Sequence, residues 1–286
     1  FWTPGTQNCD YQDFPNGGPI RGLIGGSVGY VFQAWTVTRM TQTPGAATIY
    51  QFDEVQGAKG LAAPNSLVKV GDVAYYMASD GFYKMDLVSG GQTPIGVNKW
   101  RQAFLDDMRA GMELSVLGAA DPVNPIVIWA YVSKDNGTLT ADRMVIYDTV
   151  LEEATFADIS CEAMATWVTA GVTLDTMNSY GTLDTLPYSL DSPFWKGGAS
   201  LIGLFGTDHK LAHLAGTNLS ATFETADGQT TQRMLVKGTR PYVDAVNVTV
   251  AVAARERDAD MTDGTVFFPP AEGMADTGIV PAWTSG

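Results

Sequence analysis

The sequence predicts an all-β protein of propeller-like blades, a partial or interrupted propeller with one inserted helix and a C-terminal β segment. Three observations lead there. The stretch Ser66–Asp86 reads strand, turn, strand, turn, strand, because Gly71-Asp72 interrupts one β-like run and Ser79-Asp80-Gly81 interrupts the next. Taking Leu23, Leu67 and Val116 as unit starts gives a period of roughly 40 to 50 residues, the length of a propeller blade. The 31 glycines and 45% hydrophobic content describe a folded, turn-rich chain, not a disordered one.

The meander rests on turn chemistry at six positions: Gly71 and Asp72, then Asp80, Gly81, Phe82 and Tyr83. Glycine takes a positive φ without steric cost, and an Asp side chain can bond the backbone two residues on. Residues 1–19 form an irregular strap, punctuated by Pro4, Gly5 and Asn16-Gly17-Gly18-Pro19. Blades fill residues 20–170. Their strands start with Leu23-Ile24, Tyr30-Val31-Phe32, Ala34–Thr38 and Thr48–Phe52, and the meander follows. Over residues 98–110 the period changes to helical, with Trp100, Phe104, Leu105 and Met108 on one face, Asn98 as the cap and Gly111 as the stop. Strands resume at Ser115–Gly118, Pro125–Tyr131, Arg143–Asp148 and Ala154–Asp158.

Residues 171–196 lack strong periodicity and read as an insertion, in which Leu-Asp-Thr occurs at Leu174-Asp175 and Leu183-Asp184 and nearly again at Leu190-Asp191. These six residues are the candidate subunit contacts, since a long excursion from a β domain is usually functional. A further blade spans 197–230, from Leu201–Phe205 through Thr207-Asp208-His209 to Ala221–Glu224. The segment 231–286 is β, marked by the strict alternation of Val246–Val252.

Composition narrows the function. With 17 Lys+Arg against 31 Asp+Glu the net charge is -14, which argues against gripping phosphate backbones through a basic patch. Cys9 and Cys161 are too few for a disulfide framework or a four-cysteine zinc site, and are read as free thiols. The longest uncharged run, Gly22–Thr38, carries four glycines and several polar residues and fails as a membrane helix. Phe1 is not a start methionine, so the chain is read as a fragment or a processed product.

Several segments in order carry a resemblance: Thr6–Pro15, Gly25–Gln33, Ile49–Val55, Asp80–Tyr83, Pro94-Ile95-Gly96, Asp121–Asn124, Arg143–Asp148, Leu190-Asp191-Ser192 with Trp195–Gly198, and Asp208–Leu211. Together they resemble bacteriophage tail proteins related to the packaged-DNA stabilisation, or tail nozzle, proteins of short-tailed phages. The resemblance implies a structural virion protein without enzymatic activity or cofactors, located in the tail and assembled in the host cytoplasm. It implies a homo-oligomeric ring, a hexamer, that joins the portal, the adaptor and other tail proteins. Such a ring extends the DNA channel, retains packaged double-stranded DNA without sequence-specific binding, and lets it pass during ejection. The alternative is a carbohydrate- or receptor-binding propeller at the tail tip.

Catalytic and metal motifs are weaker. Gly25-Gly26-Ser27-Val28-Gly29 matches a nucleophile elbow, but that motif needs a helix next, and Tyr30–Thr38 is aromatic and β-branched. His209 and His213 lack an evident third metal ligand. Asp258, Asp260 and Asp263 miss the EF-hand spacing. Asp106-Asp107 diverge around a helix and cannot both flank a glycosidic bond. The sequons at Asn136, Asn218 and Asn247 carry no weight. Two expectations follow from length and charge: 286 residues do not close a complete propeller, and the acidic surplus faces the DNA.

Overall fold

The computed structural model describes residues 11–26, 28–43, 50–168, 172–192, 195, 200–214, 220–223, 238–240, 248–250, 272–273 and 280–281. They are mostly β, and the chain divides into two compact units, Phe1–Thr217 and Asn218–Gly286.

The described residues of the first unit form four antiparallel meanders, each hydrogen-bonded in chain order. The first comprises β1 (Ile20–Ile24), β2 (Gly29–Gln33), β3 (Val37–Gln42) and β4 (Tyr50–Glu54). The second comprises β5 (Val68–Val70), β6 (Val73–Ala78), β7 (Gly81–Asp86) and β8 (Gln92–Pro94). The third comprises β9 (Leu117–Ala120), β10 (Ile126–Tyr131), β11 (Ala141–Asp148) and β12 (Glu153–Cys161), and the fourth has β13 (Ala163–Val168), β14 (Ser200–Phe205) and β15 (Leu211–His213). The first three sheets begin roughly 50 residues apart, at Ile20, Val68 and Leu117.

The cores lie between successive sheets. Along β6, Ala74, Tyr76 and Ala78 point into a cluster shared with Tyr30, Phe32 and Val37 of the first sheet, while Tyr75 and Met77 point the other way. Along β10, Val127, Trp129 and Tyr131 meet the second sheet, whereas Ile128 and Ala130 join Met164, Ile202 and Leu204 of the fourth. Successive side chains of a strand point to opposite faces, so a sheet covered on both sides needs apolar residues at every position. That is why Val-Ala-Tyr-Tyr-Met-Ala and Ile-Val-Ile-Trp-Ala-Tyr read as continuous apolar runs.

One buried seam joins sheets two and three. Ser66 Oγ donates to Ala63 O at 2.7 Å and accepts from Met77 N at 2.9 Å, while Trp129 Nε1 donates to Ser66 O at 3.0 Å. A Cβ at Gly118 would stand 2.8 Å from both Ser66 O and Val68 Cγ2, so glycine there permits the approach. The first strands run side by side, β5 beside β9 and β9 beside β13, with Thr166 Oγ1 donating to Ala120 O at 3.2 Å.

The structure corrects several boundaries. The helix expected over 98–110 is α1 (Arg101–Asp107), shorter at both ends. Asn98 does not cap it: its φ of 60° belongs to a turn in which Lys99 N and Arg101 N both donate to Gly96 O. At the other end Met108 is extended, because Asp107 O accepts from Lys134 N and Arg109 N donates to Val132 O, pulling the chain onto the β10–β11 loop before Gly111. Ala34–Thr36 is a tight turn closed by Gln33 N donating to Thr36 O at 2.9 Å, so β3 starts at Val37. Ser115 ends a 3-10 turn, and β9 starts at Leu117. The fourth sheet begins at Ala163, before the insertion, and Ala221–Phe223 is not a strand.

Among the described residues no closed ring of sheets is present. In the second unit they form two antiparallel pairs, β16 (Gly238–Thr239) with β19 (Val280–Pro281), and β17 (Thr249–Val250) with β18 (Glu272–Gly273). Of Val246–Val252, only 248–250 lie within the described residues.

Candidate functional site

The six turn residues organise the second sheet from both ends. Gly71, at φ 57°, and Asp72 join β5 to β6, and Asp72 O accepts from Leu87 N at 2.9 Å. Gly81 adopts φ 133° and packs against Arg101 of α1. Asp80 accepts from Tyr83 OH at 2.9 Å and pairs with Lys59 at 3.6 Å. Burial first, and the Asp80 carboxylate second, push the Tyr83 phenol up to about 12, so it is a hydrogen-bond donor and not an acid at neutral pH. Phe82 is fully buried, with ring centroids 4.2 Å from Trp129 and 4.7 Å from Phe104. This part of the motif is structural: it ties β7 to α1 and the third sheet.

The Leu-Asp repeats of the insertion gain a physical meaning. Each lies within Ser/Thr-Leu-Asp-Ser/Thr, at Thr173–Thr176, Thr182–Thr185 and Ser189–Ser192. In the second copy Thr185 N donates to Thr182 O at 2.8 Å, closing a one-turn 3-10 helix, and Thr182 N donates to Thr185 Oγ1 at 2.9 Å as one arm of a capping box. The first copy runs into α2 (Leu174–Met177), where Met177 N donates to Thr173 O at 2.9 Å. In the third, Ser192 N donates to Ser189 O at 2.9 Å. Asp175, Asp184, Leu190 and Asp191 are all exposed. Trp195 Nε1 donates to Ser189 O at 2.7 Å, Tyr180 and Tyr188 pack on the Trp195 ring, and Tyr188 OH lies 2.9 Å from His213 Nε2 on β15. The described part of the insertion is therefore a series of short turns tied to the fourth sheet through Tyr188 and His213.

A recurring element escaped the sequence reading. Asp86-Leu87-Val88, Asp121-Pro122-Val123 and Asp148-Thr149-Val150 form the same turn, with Asp Oδ1 accepting from the Val N at 2.8 Å in each. The N–H of the next residue adds a second bond in all three. Backbone donors from Val88 and Ser89 hold the Asp86 carboxyl below its ordinary range. All three valines are exposed. The spacing Asp-x-Val was the available signal, hidden because the pattern is short and common.

Among the described residues the competing motifs serve other contacts. The segment after Ser27 is β2, a strand and not the helix an elbow requires, and Ser27 itself lies outside the described residues. His209 Nδ1 meets Glu162 Oε2 at 3.0 Å while His213 meets Tyr188, so the two rings serve different partners. Asp107 accepts from Tyr131 OH and Arg143 Nη1, whereas Asp106 accepts from Gln102. Asn136 is engaged in its own turn with Thr138 and Thr140. Cys9, Asn218, Asn247 and the Asp258–Asp263 segment lie outside the described residues. Burial pushes the Cys161 thiol up to about 11, so it is not a nucleophile at neutral pH. No helix among the described residues is long and apolar enough to cross a membrane.

The class these observations define is a mostly β protein of serially packed antiparallel meanders. No family model and no curated protein matches the chain.

Proposed function

We propose that this chain is a structural, non-enzymatic virion protein of a bacteriophage tail, a nozzle-type subunit whose meanders are the blades of a partial propeller. It assembles as a homo-oligomeric ring, a hexamer, beneath the portal and adaptor. The ring extends the DNA channel, retains the packaged genome and lets it pass at ejection. The observation that carries this reading is the ordered set of motifs resembling tail nozzle proteins, from Thr6–Pro15 to Asp208–Leu211. Four serially stacked meanders, the first three starting roughly 50 residues apart and the last three with their first strands side by side, support the propeller part of it.

A virion subunit must hold its neighbours, and the insertion 171–196 is the segment assigned to that task. Mass measurement of the purified protein, alone and with portal and adaptor, tests the reading. A ring of defined copy number is expected; a monomer under every condition would overturn it.

A further inference from the structure

The chain contains two Asn-Gly pairs, Asn16-Gly17 and Asn136-Gly137. Asparagine before glycine is prone to cyclise, because a residue without a Cβ lets its own amide nitrogen swing onto the preceding side chain. The fold treats the two pairs differently. Asn136 is locked: its Nδ2 donates to Thr140 O at 2.9 Å, its Oδ1 accepts from Thr138 N at 2.8 Å and from Thr138 Oγ1 at 2.9 Å, and its O accepts from Arg109 Nη1 at 3.0 Å. Asn16 is exposed, and its side chain, its O and the Gly17 N make no hydrogen bond among the described residues. The atoms on either side are pinned. Gln33, 2% exposed, donates through Nε2 to Phe14 O at 3.0 Å and to Gly18 O at 2.8 Å, while Trp35 N donates to Gly17 O at 3.0 Å. The Phe14 ring stands edge-on to Phe52 with centroids 5.2 Å apart, and a Cβ on Gly17 would collide with Thr36 and Gln33, so the strap lies directly on sheet one. A loose peptide thus sits between two clamped carbonyls.

We infer that Asn16 is a self-modification site, deamidated with water as the only co-reactant, and that its isoaspartyl product releases the strap from sheet one. Gly17 N attacks Asn16 Cγ; the N–Cγ bond forms, the Cγ–Nδ2 bond breaks, and ammonia leaves with the proton that Gly17 N gives up. Proximity makes the step intramolecular, so no catalyst is required. Water then opens the cyclic imide at one of its two carbonyls, giving aspartate or isoaspartate. In isoaspartate the main chain runs through the former side chain and gains one methylene, about 1.5 Å of path, between two carbonyls that a single Gln33 amide holds. That clamp cannot keep both ends. The aspartyl product leaves the backbone spacing as it was, so the strap stays docked.

The test follows both pairs by peptide mapping and isoaspartyl-specific methylation while the full chain stands at mildly alkaline pH and body temperature, either native or unfolded in urea. In urea the two pairs should convert alike. In the native chain Asn16 should convert much as it does in urea, whereas Asn136 must first give up its hydrogen bonds and should slow by more than about tenfold. No conversion at Asn16, or protection of Asn16 equal to that of Asn136, would overturn the assignment. Hydrogen exchange at the Trp35 amide, which is bonded to Gly17 O, reads the strap itself. Exchange there should quicken in the isoaspartyl fraction and stay at the parental rate in Asn16→Asp. Unaltered exchange in the isoaspartyl fraction, or an equal rise in Asn16→Asp, would refute the release.

Discussion

At the residue scale, Gly118 shows how a missing side chain sets the distance between sheets. A Cβ there meets backbone, Ser66 O, as well as Val68, and backbone cannot swing aside as a long side chain could. Gly118→Ala is expected to destabilise the first unit by about 1–3 kcal/mol, the usual cost of overpacking. Gly25→Ala, where nothing lies within 4 Å of the added carbon, should stay within about 0.5 kcal/mol of the parent. Urea unfolding of both variants checks the contrast, and equal effects would refute the role given to Gly118. Asp142 supplies a pH-dependent contribution. Burial favours its neutral form, but Ser133 N at 2.7 Å and Ser133 Oγ at 2.6 Å donate to the carboxylate and hold its pKa below the ordinary range. The folded state therefore binds this proton less readily than the unfolded one. The stabilisation is present above the unfolded carboxyl's pKa of about 4 and is lost as pH falls through the lower folded value. Asp142→Asn should lower stability at pH 7 and flatten its fall on acidification below about pH 5, read from urea midpoints across a pH series. An unchanged slope would dismiss the effect.

At the scale of elements, the insertion separates two strands that pair directly. Val168 of β13 faces Ser200 of β14 in the last register pair, so an Asn-Gly turn can replace residues 169–199 and close the hairpin. The chain so shortened should fold, with unchanged β signal in circular dichroism, yet remain a monomer by light scattering. Assembly at the parental copy number would remove the insertion from the interface. The meander at Ser66–Asp86 was legible in the sequence because local turn chemistry fixes both hairpins. The ends of α1 were not: the turn onto Gly96 O displaces Asn98 as a cap, and pairing of Asp107 and Arg109 with the β10–β11 loop ends the helix before Gly111. β13 was missed for a related reason: its partner β14 lies beyond the insertion, and Ala-Met-Ala-Thr-Trp-Val alone carries neither alternation nor flanking turn signals.

At the scale of the whole molecule, the proposed ring around a DNA channel makes the placement of the acidic surplus testable. The net charge is -14 per chain, so a hexameric ring would carry a strong negative field. A wall of Lys and Arg would bind several phosphates at once, and that salt-dependent affinity would act as friction on a genome that must leave fast. Carboxylates reverse the sign and hold the duplex off the wall. Screening confines the repulsion to roughly 8–10 Å at physiological salt, so acids matter to DNA only if they line a narrow bore; on the outer surface they serve solubility alone. We therefore expect the lumen of the assembled ring to be acidic. The assembled ring should also fail to retain linear duplex in a filter-binding assay at low salt, where any phosphate grip would be strongest. A charge map of the ring showing a neutral or basic lumen, with the acids outside, would sink the sliding wall while leaving the tail assignment to stand on its own test.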